Sequence, residues 1–426
     1  MVTQEQKNTY KALLKQQKAL IKKVSRKFKW TNRIIILAGV ALGLLIGIKG
    51  ARLEDKGVIS PGSFDLYLLF GLFLYYIFTL FHIIIHETGH LIFGLLTGYR
   101  FVSFRIFSFI FIKQGDRIIR KKYSVKDTAG QCLMMPSERN EDGSFPFVLY
   151  NLGGGLTNLI VSIPFIVVLT YIDNAVICTA LFVFILSGVI TGITNLIPLD
   201  LGVQNDGMNV KGMLKYKFLR DSFYLQLKVY HDLVNGKLIT EYAPDMFALP
   251  DDSAADKYTL TTFNYMFAYY CFLAKHDFES AYAYLMKMLE KADKLHLGTL
   301  NVVHAEQLFF MVLYHRPVEE IAALYKRVKL ILAAGKNDIS LQRINYIYEA
   351  LLSEEEKKDI MTLINNKVPK KWKKCNLEKL KNDIDKIAAS YPAIGEAVMN
   401  MDIIDYCCKL CNNEQENQLE NRQENN

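Results

Sequence analysis

Apolar residues are spread unevenly along this chain. Before residue 200 they gather into four nearly charge-free runs: 34–48, 66–85 with an extension to Gly98, 145–172 and 175–198. A helix needs about 20 apolar residues to cross a bilayer, and every backbone polar group inside lipid must be satisfied within the segment. The pattern therefore predicts about four membrane-spanning helices. The first run is short and draws on Trp30 and its flanks; the last two are joined only by Asp173 and Asn174, a helical hairpin.

Between the second and third runs the pattern changes. Residues 101–113 are rich in Phe, Ile and Val, Gln114-Gly115-Asp116 supplies a turn, and 117–125 continues with β-branched and basic residues. This predicts a β-hairpin.

After residue 207 the periodicity is that of amphipathic helices. Residues 218–234 form one, ended by Asn235-Gly236, and 244–256, with two prolines and four aspartates, read as a linker. Helix pairs follow at 258–274 with 278–292, 299–314 with 318–334, and 341–352 with 354–364. Their breaks at Asp277, Arg316 and Ser353 recur every 37 to 39 residues, which resembles a tetratricopeptide-type repeat. Residues 412–426 are almost all Asn, Gln and Glu and are expected to lack structure. The expected fold class is mainly α. A polytopic membrane bundle with a small β-hairpin precedes a soluble all-α helical-repeat domain. The expected divisions are 1–33, a basic N-terminal helix; 34–215, the membrane domain; 216–255, helix and linker; 256–411, the repeats; and 412–426, the tail.

The net charge of +8 would suggest nucleic acid only if the basic residues formed a patch on a soluble fold. Here they flank apolar runs: residues 1–33 hold ten Lys or Arg against Glu5 alone, and 99–144 hold nine. The 49–65 loop is balanced, and the Asp173 turn has no basic residue. By the positive-inside rule both termini face the cytoplasm of a cell membrane, and no nucleic-acid partner is expected. Residues 1–33, with Leu13, Leu14, Leu20, Ile21 and Val24 on one face, suit either an anionic membrane surface or a solvated cytoplasmic helix. Seven scattered cysteines do not make a secreted disulfide framework, and the lone Cys408/Cys411 pair lacks the second pair of a zinc ribbon.

The chemistry lies at the end of the second run, in His86-Glu87-Thr88-Gly89-His90. Histidines four apart share a helix face, so both imidazoles reach one ion, and the intervening Glu87 stands beside it as a general base. Zinc lowers the pKa of its water to about 7, which makes such a base useful at neutral pH. An ionisable cluster in a membrane segment is costly and points to function. His82 lies one turn upstream, but three imidazoles along a straight helix do not converge on one ion, so it reads as a supporting or packing residue. The third ligand must come from elsewhere; Asp200 and Asp206 are the candidates.

These residues resemble the site-2 protease family of intramembrane zinc metalloproteases. The His86–His90 motif with Gly94 and Gly98, then Gly154-Gly155-Leu156-Thr157-Asn158, then Asn195-Leu196-Ile197-Pro198 followed by Asp206-Gly207 are similar to its three ordered motifs. The resemblance, over roughly residues 64–215, implies that His86, His90 and Asp206 bind Zn2+ and that Glu87 is the base. It also implies that Asn158 helps hold substrate or the developing oxyanion, and that an edge of the 101–125 hairpin pairs with an extended substrate. Gly155 stands where the family usually has proline, and the interval from Asn195 to Asp206 is longer than its common pattern. Asp200 is the reserve third ligand.

The expected function is cleavage of a membrane protein or hydrophobic precursor peptide near the cytoplasmic face, in a bacterial-type member whose partners are the substrate, the bilayer and a protein bound by the repeats. Two alternatives stand beside it: a catalytically inactive membrane-anchored scaffold, and a metal-dependent membrane hydrolase acting on a lipid or other ester.

Overall fold

The computed structural model describes residues 2–27, 55, 57, 60, 64–123, 128–172, 174–200, 204–250, 255–293, 295, 297–367, 372 and 374–424. The chain divides into two compact units. One, the membrane unit, comprises Ser25–Lys113 and Asp127–Leu227; the other, the helical unit, comprises Met1–Val24, Gln114–Lys126 and Lys228–Asn426.

In the membrane unit, α2 (Phe64–Leu96), α3 (Val148–Leu169) and α4 (Ala175–Leu196) follow the long apolar runs and pack on one another. The label α1 is kept for Gln4–Lys27 of the other unit. Segments Leu68–Leu96, Val148–Leu169 and Val176–Leu196 are long and apolar enough to cross a membrane. Their outward faces carry Leu69, Phe73, Tyr76 and Ile163, each more than half exposed, which is what a lipid solvent favours and water does not. The expected first span, 34–48, lies outside the described residues. The Asn174 side chain caps α4 by accepting from the Val176 and Ile177 N–H groups at 3.0 and 3.1 Å, which starts the helix immediately after the short turn.

The loop between α2 and α3 holds more than the hairpin expected from the sequence. Strands β1 (Arg100–Ile106), β2 (Phe109–Gln114), β3 (Arg117–Lys122) and β4 (Gly130–Met135) form one sheet in the order β3-β2-β1-β4. β1 runs antiparallel to β2, with Ser103 opposite Ile112, and to β4, with Phe104 opposite Cys132. The stretch 101–113 is thus two strands and not one hairpin arm. It turns at Phe107, whose φ of 51° is a left-handed conformation unusual for a non-glycine residue. The anticipated turn at Gly115 (φ 58°) is the next one along. β4 has no signal of its own in the sequence, because Gly-Gln-Cys-Leu-Met-Met carries no alternation; it is a strand by pairing with β1, a nonlocal contact. The buried Arg105 secures its start by donating to the carbonyls of Thr128 (3.1 Å) and Gly130 (3.2 Å).

Beyond α4, Asp206 opens α5 (Asp206–Lys215), and α6 (Lys217–Val234) follows, ending before Gly236 at φ 90°.

The helical unit contains α7 (Leu260–Leu273), α8 (Phe278–Glu290), α9 (Leu297–Leu313), α10 (Val318–Ala334), α11 (Ile339–Leu351), α12 (Glu354–Asn365), α13 (Leu377–Ser390) and α14 (Ile394–Glu424). α7 packs on α8, α9 on α10 and α11, and α10 on α12. Two of the breaks between paired helices are built alike. His276 (φ 58°) and His315 (φ 48°) take left-handed conformations, while the next residues, Asp277 and Arg316, donate their N–H back to the Phe272 and Met311 carbonyls at 3.0 and 2.9 Å. The third break has no such turn: Ser353 caps α12 directly, with a reciprocal bond from its own N–H to Glu356 at 2.8 Å. Within the stretch 244–256 expected to be a linker, Phe247 is buried in the core, 5.5 Å from the Phe267 ring, and Tyr242 just before it is buried too.

At the centre of this unit the fully buried Arg343 of α11 donates to Glu306 of α9 at 2.6 Å and to Asn400 of α14 at 2.8 Å, while Tyr269 of α7 donates to Glu306 at 2.7 Å. α1 packs here too, since Tyr10 is buried and Lys23 pairs with Asp293 at 2.7 Å. The polar tail differs from expectation: α14 continues to Glu424, because Glu and Gln propagate a helix that packing has already nucleated.

Candidate metal centre

Helix periodicity brings His86 and His90 to one face of α2, and their imidazoles stand 4.6 Å apart. The Nε2 atoms are 3.0 Å from each other, and Asp206 Oδ2 lies 3.2 Å from His86 Nε2 and 3.4 Å from His90 Nε2. Asp200 is not in this group; it pairs instead with Gln204 across a short loop.

That loop accounts for the long interval between Asn195 and Asp206. Asn205 closes its base, donating to the carbonyl of Ile197 at 2.7 Å and accepting from the Leu199 N–H at 3.1 Å and the Met208 N–H at 2.9 Å. Asp206 emerges at the first turn of α5. Gly207 does not act as a turn glycine. It lies inside α5, where a Cβ would stand 2.2 Å from the Leu196 carbonyl oxygen, so its bare backbone lets α5 abut the end of α4.

Both histidines are held from behind. His90 Nδ1 donates its proton to the Tyr150 carbonyl at 2.7 Å, so the neutral ring presents its lone pair at Nε2. His86 lies against Gly154 of α3, where a Cβ would stand 2.5 Å from its Cε1. The residue at the family's proline position, Gly155, instead faces α4, and a Cβ there would stand 2.8 Å from Leu196 Cγ.

Glu87 is held by β4. The Cys132 N–H donates to its carboxylate, and a Cβ at Gly130 would lie 2.6 Å from Glu87 Cγ. The Cys132 carbonyl, on the same side of the strand, accepts from the Tyr150 hydroxyl at 2.8 Å. The outward edge of β4 is therefore occupied at Cys132 by the site itself. Along the sheet the opposite outer strand is β3, the end strand of the 101–125 hairpin to which the resemblance assigned substrate pairing. Tyr150, Gly130 and Cys132 were missed by sequence reasoning, and no pattern signals them: two act through main-chain atoms and the third through lack of a side chain.

The residues fit a zinc ion. Tetrahedral zinc with bonds of about 2.0–2.1 Å to N and O separates its ligand atoms by about 3.3–3.4 Å, close to the three edges seen here. Asp206 Oδ2 and His86 Nδ1 are buried without a hydrogen-bond partner. Lone pairs converging this closely repel unless a cation lies between them.

A comparison with known families bears on the same elements. Residues 65–203 match the family model described as Peptidase M50B-like. This stretch of the chain belongs to the site-2 protease family. At the family level it is an intramembrane metalloprotease domain, and its apolar helices are those of a membrane protein. No curated protein and no solved structure matches the chain.

Proposed function

We propose that this chain is an active intramembrane zinc endopeptidase that cuts a membrane protein or hydrophobic precursor peptide. His86, His90 and Asp206 hold the zinc, and Glu87 is the general base. The observation that carries this reading is the triangle of His86, His90 and Asp206 donor atoms beside a carboxylate fixed by a strand edge. A scaffold has no need of such a cluster, whose burial costs stability.

Zinc, when bound, supplies a Lewis acid that polarises the scissile carbonyl and acidifies water. Glu87 takes the proton of the attacking water on its carboxylate and passes it to the leaving amine nitrogen as the peptide bond breaks. The Cys132 N–H and the close face of Gly130 keep that carboxylate in one place during both transfers. The Tyr150 carbonyl keeps the His90 ring from turning. Asn158 binds substrate one helical turn along α3 from Gly154.

Two features support a hydrophobic substrate. His86 lies 18 residues from the start and 10 from the end of the apolar segment Leu68–Leu96, about 27 and 15 Å at 1.5 Å per residue, so a bond cut there lies within or near the hydrocarbon layer, toward the face that Leu96 approaches. We assign that face to the cytoplasm, with four spans and both termini inside. Next to Asp206, a cleft of about 440 Å³ is lined by Leu152, Leu196, Pro198, Val210 and Leu214, together with Lys211 and Lys215. The helix pairs of the helical unit serve as a tetratricopeptide-like platform that recruits a protein partner.

The deciding experiment compares the purified native protein with Glu87→Gln for bound zinc and for cleavage of single-pass transmembrane test proteins in bilayers. Zinc in both with cleavage by the native protein alone supports the reading. Metal-replete protein that holds no zinc refutes it, and zinc without cleavage of any member of a transmembrane panel favours the scaffold.

A further inference from the structure

His82 is fully buried in α2, one turn before His86, and both of its ring nitrogens are engaged. Nε2 lies 3.0 Å from the main-chain carbonyl of Phe184 on α4, which also accepts from the Ser187 hydroxyl at 3.0 Å. Nδ1 lies 3.0 Å from the side-chain oxygen Oδ1 of Asn158 on α3. One imidazole thus joins three helices of the membrane unit. Space for it is made by Gly188, where a Cβ would stand 2.4 Å from His82 Cε1.

The Phe184 carbonyl only accepts, so Nε2 must carry a proton. A neutral imidazole protonated there has a lone pair at Nδ1, and its partner must be a donor. A half-turn of the Asn158 amide exchanges its two ends without changing its shape. It places the NH2 group, which is otherwise buried without a partner, against that lone pair. The alternative, a cationic ring facing the amide oxygen, buries a full charge between apolar helices.

We propose that His82 is a positioning residue that fixes Asn158 with its NH2 group on His82 Nδ1 and its carbonyl oxygen turned to the substrate. This inference rests on the protease reading above. In that orientation Asn158 offers an acceptor, which suits a main-chain N–H of an unwound substrate segment and does not stabilise a developing oxyanion. The histidine that the sequence left as a supporting or packing residue thereby determines what kind of group its neighbour presents.

Two arms test it. In the first, the full-length protein carrying nitrogen-15 histidine is placed in bilayers, and the His82 signals are identified by their loss in His82→Gln. The expected spectrum has one protonated and one bare nitrogen at His82, with the bare signal shifting in Asn158→Ala. Two protonated nitrogens, or a bare signal indifferent to Asn158→Ala, overturns the proposal whether or not the protein proves to be a protease. In the second arm, Asn158→Ala and His82→Leu each raise KM tenfold or more at nearly unchanged kcat and zinc content. Combining them adds little. A fall in kcat of about 10²–10³ at constant KM, the mark of a lost oxyanion donor, overturns it. Should His82→Leu fail to fold, Asn158→Ala alone still decides both arms.

Discussion

Gly154 lies so close to the imidazole of His86 that a methyl group in its place would stand 2.5 Å from the ring's Cε1. Ring atoms do not give way by sliding along a flexible chain; the whole imidazole must tilt away from His90 and Asp206. Gly154→Ala is therefore expected to lower zinc affinity about 10–100-fold, the usual range for disturbing a ligand's support. Competition with a chromogenic chelator measures it. Unchanged affinity would mean that α2 and α3 separate readily here.

The two aspartates should part company completely. Asp206→Ala removes one of three converging donors and is expected to leave the purified protein without stoichiometric zinc. Asp200→Ala, at a residue outside the His86, His90 and Asp206 group, should retain one zinc per chain by atomic absorption. The reverse pattern would move the third ligand to Asp200.

In the helical unit, Glu306→Gln leaves Arg343 buried with its charge uncompensated. Loss of one member of a buried ion pair costs about 3–5 kcal/mol. The expected readout is faster hydrogen exchange across α7, α9, α11 and α14, the four helices that meet at this pair, with the zinc content unchanged. Exchange confined to the mutated helix would show that the network is not shared.

Stability of the same unit should fall as pH rises. Burial, and secondarily the nearby Asp338 carboxylate, push the Glu396 carboxyl up to about 8, while its ordinary value is 4.5. The folded form thus keeps a proton that the unfolded chain gives up above pH 4.5. That contribution is complete below pH 4.5 and is lost as pH rises toward 8. Glu396→Gln, which cannot ionise, should flatten the slope measured by exchange or by denaturant titration in detergent.

Much of the site is legible in the order of residues along the chain. The spacing of His86, Glu87 and His90 forces the three onto a common helical region wherever that helix lies, because 3.6 residues per turn is a local property. The same locality makes 68–96, 148–169 and 176–196 readable as apolar helices and Asn174 as a residue of the turn between two of them. What is not legible is held by contacts between segments distant in sequence. β4 is a strand only because β1 lies beside it, and the 101–113 run splits because Phe107 turns left-handed where hydrophobicity gives no break. The choice of Asp206 over Asp200 depends on Asn205 closing a loop, which no periodicity encodes.

The sequence by itself, then, determined the helix that carries His86, Glu87 and His90, its apolar surroundings and the residue types available for the chemistry, since these follow from spacing and composition along one segment. Only the tertiary structure decided which aspartate meets the two histidines, that a strand edge grips Glu87, and that His82 supports Asn158. Those are matters of distance between segments. Glycines at 130, 154, 188 and 207 set those distances by omitting a side chain, and a residue that acts by absence leaves no pattern to read.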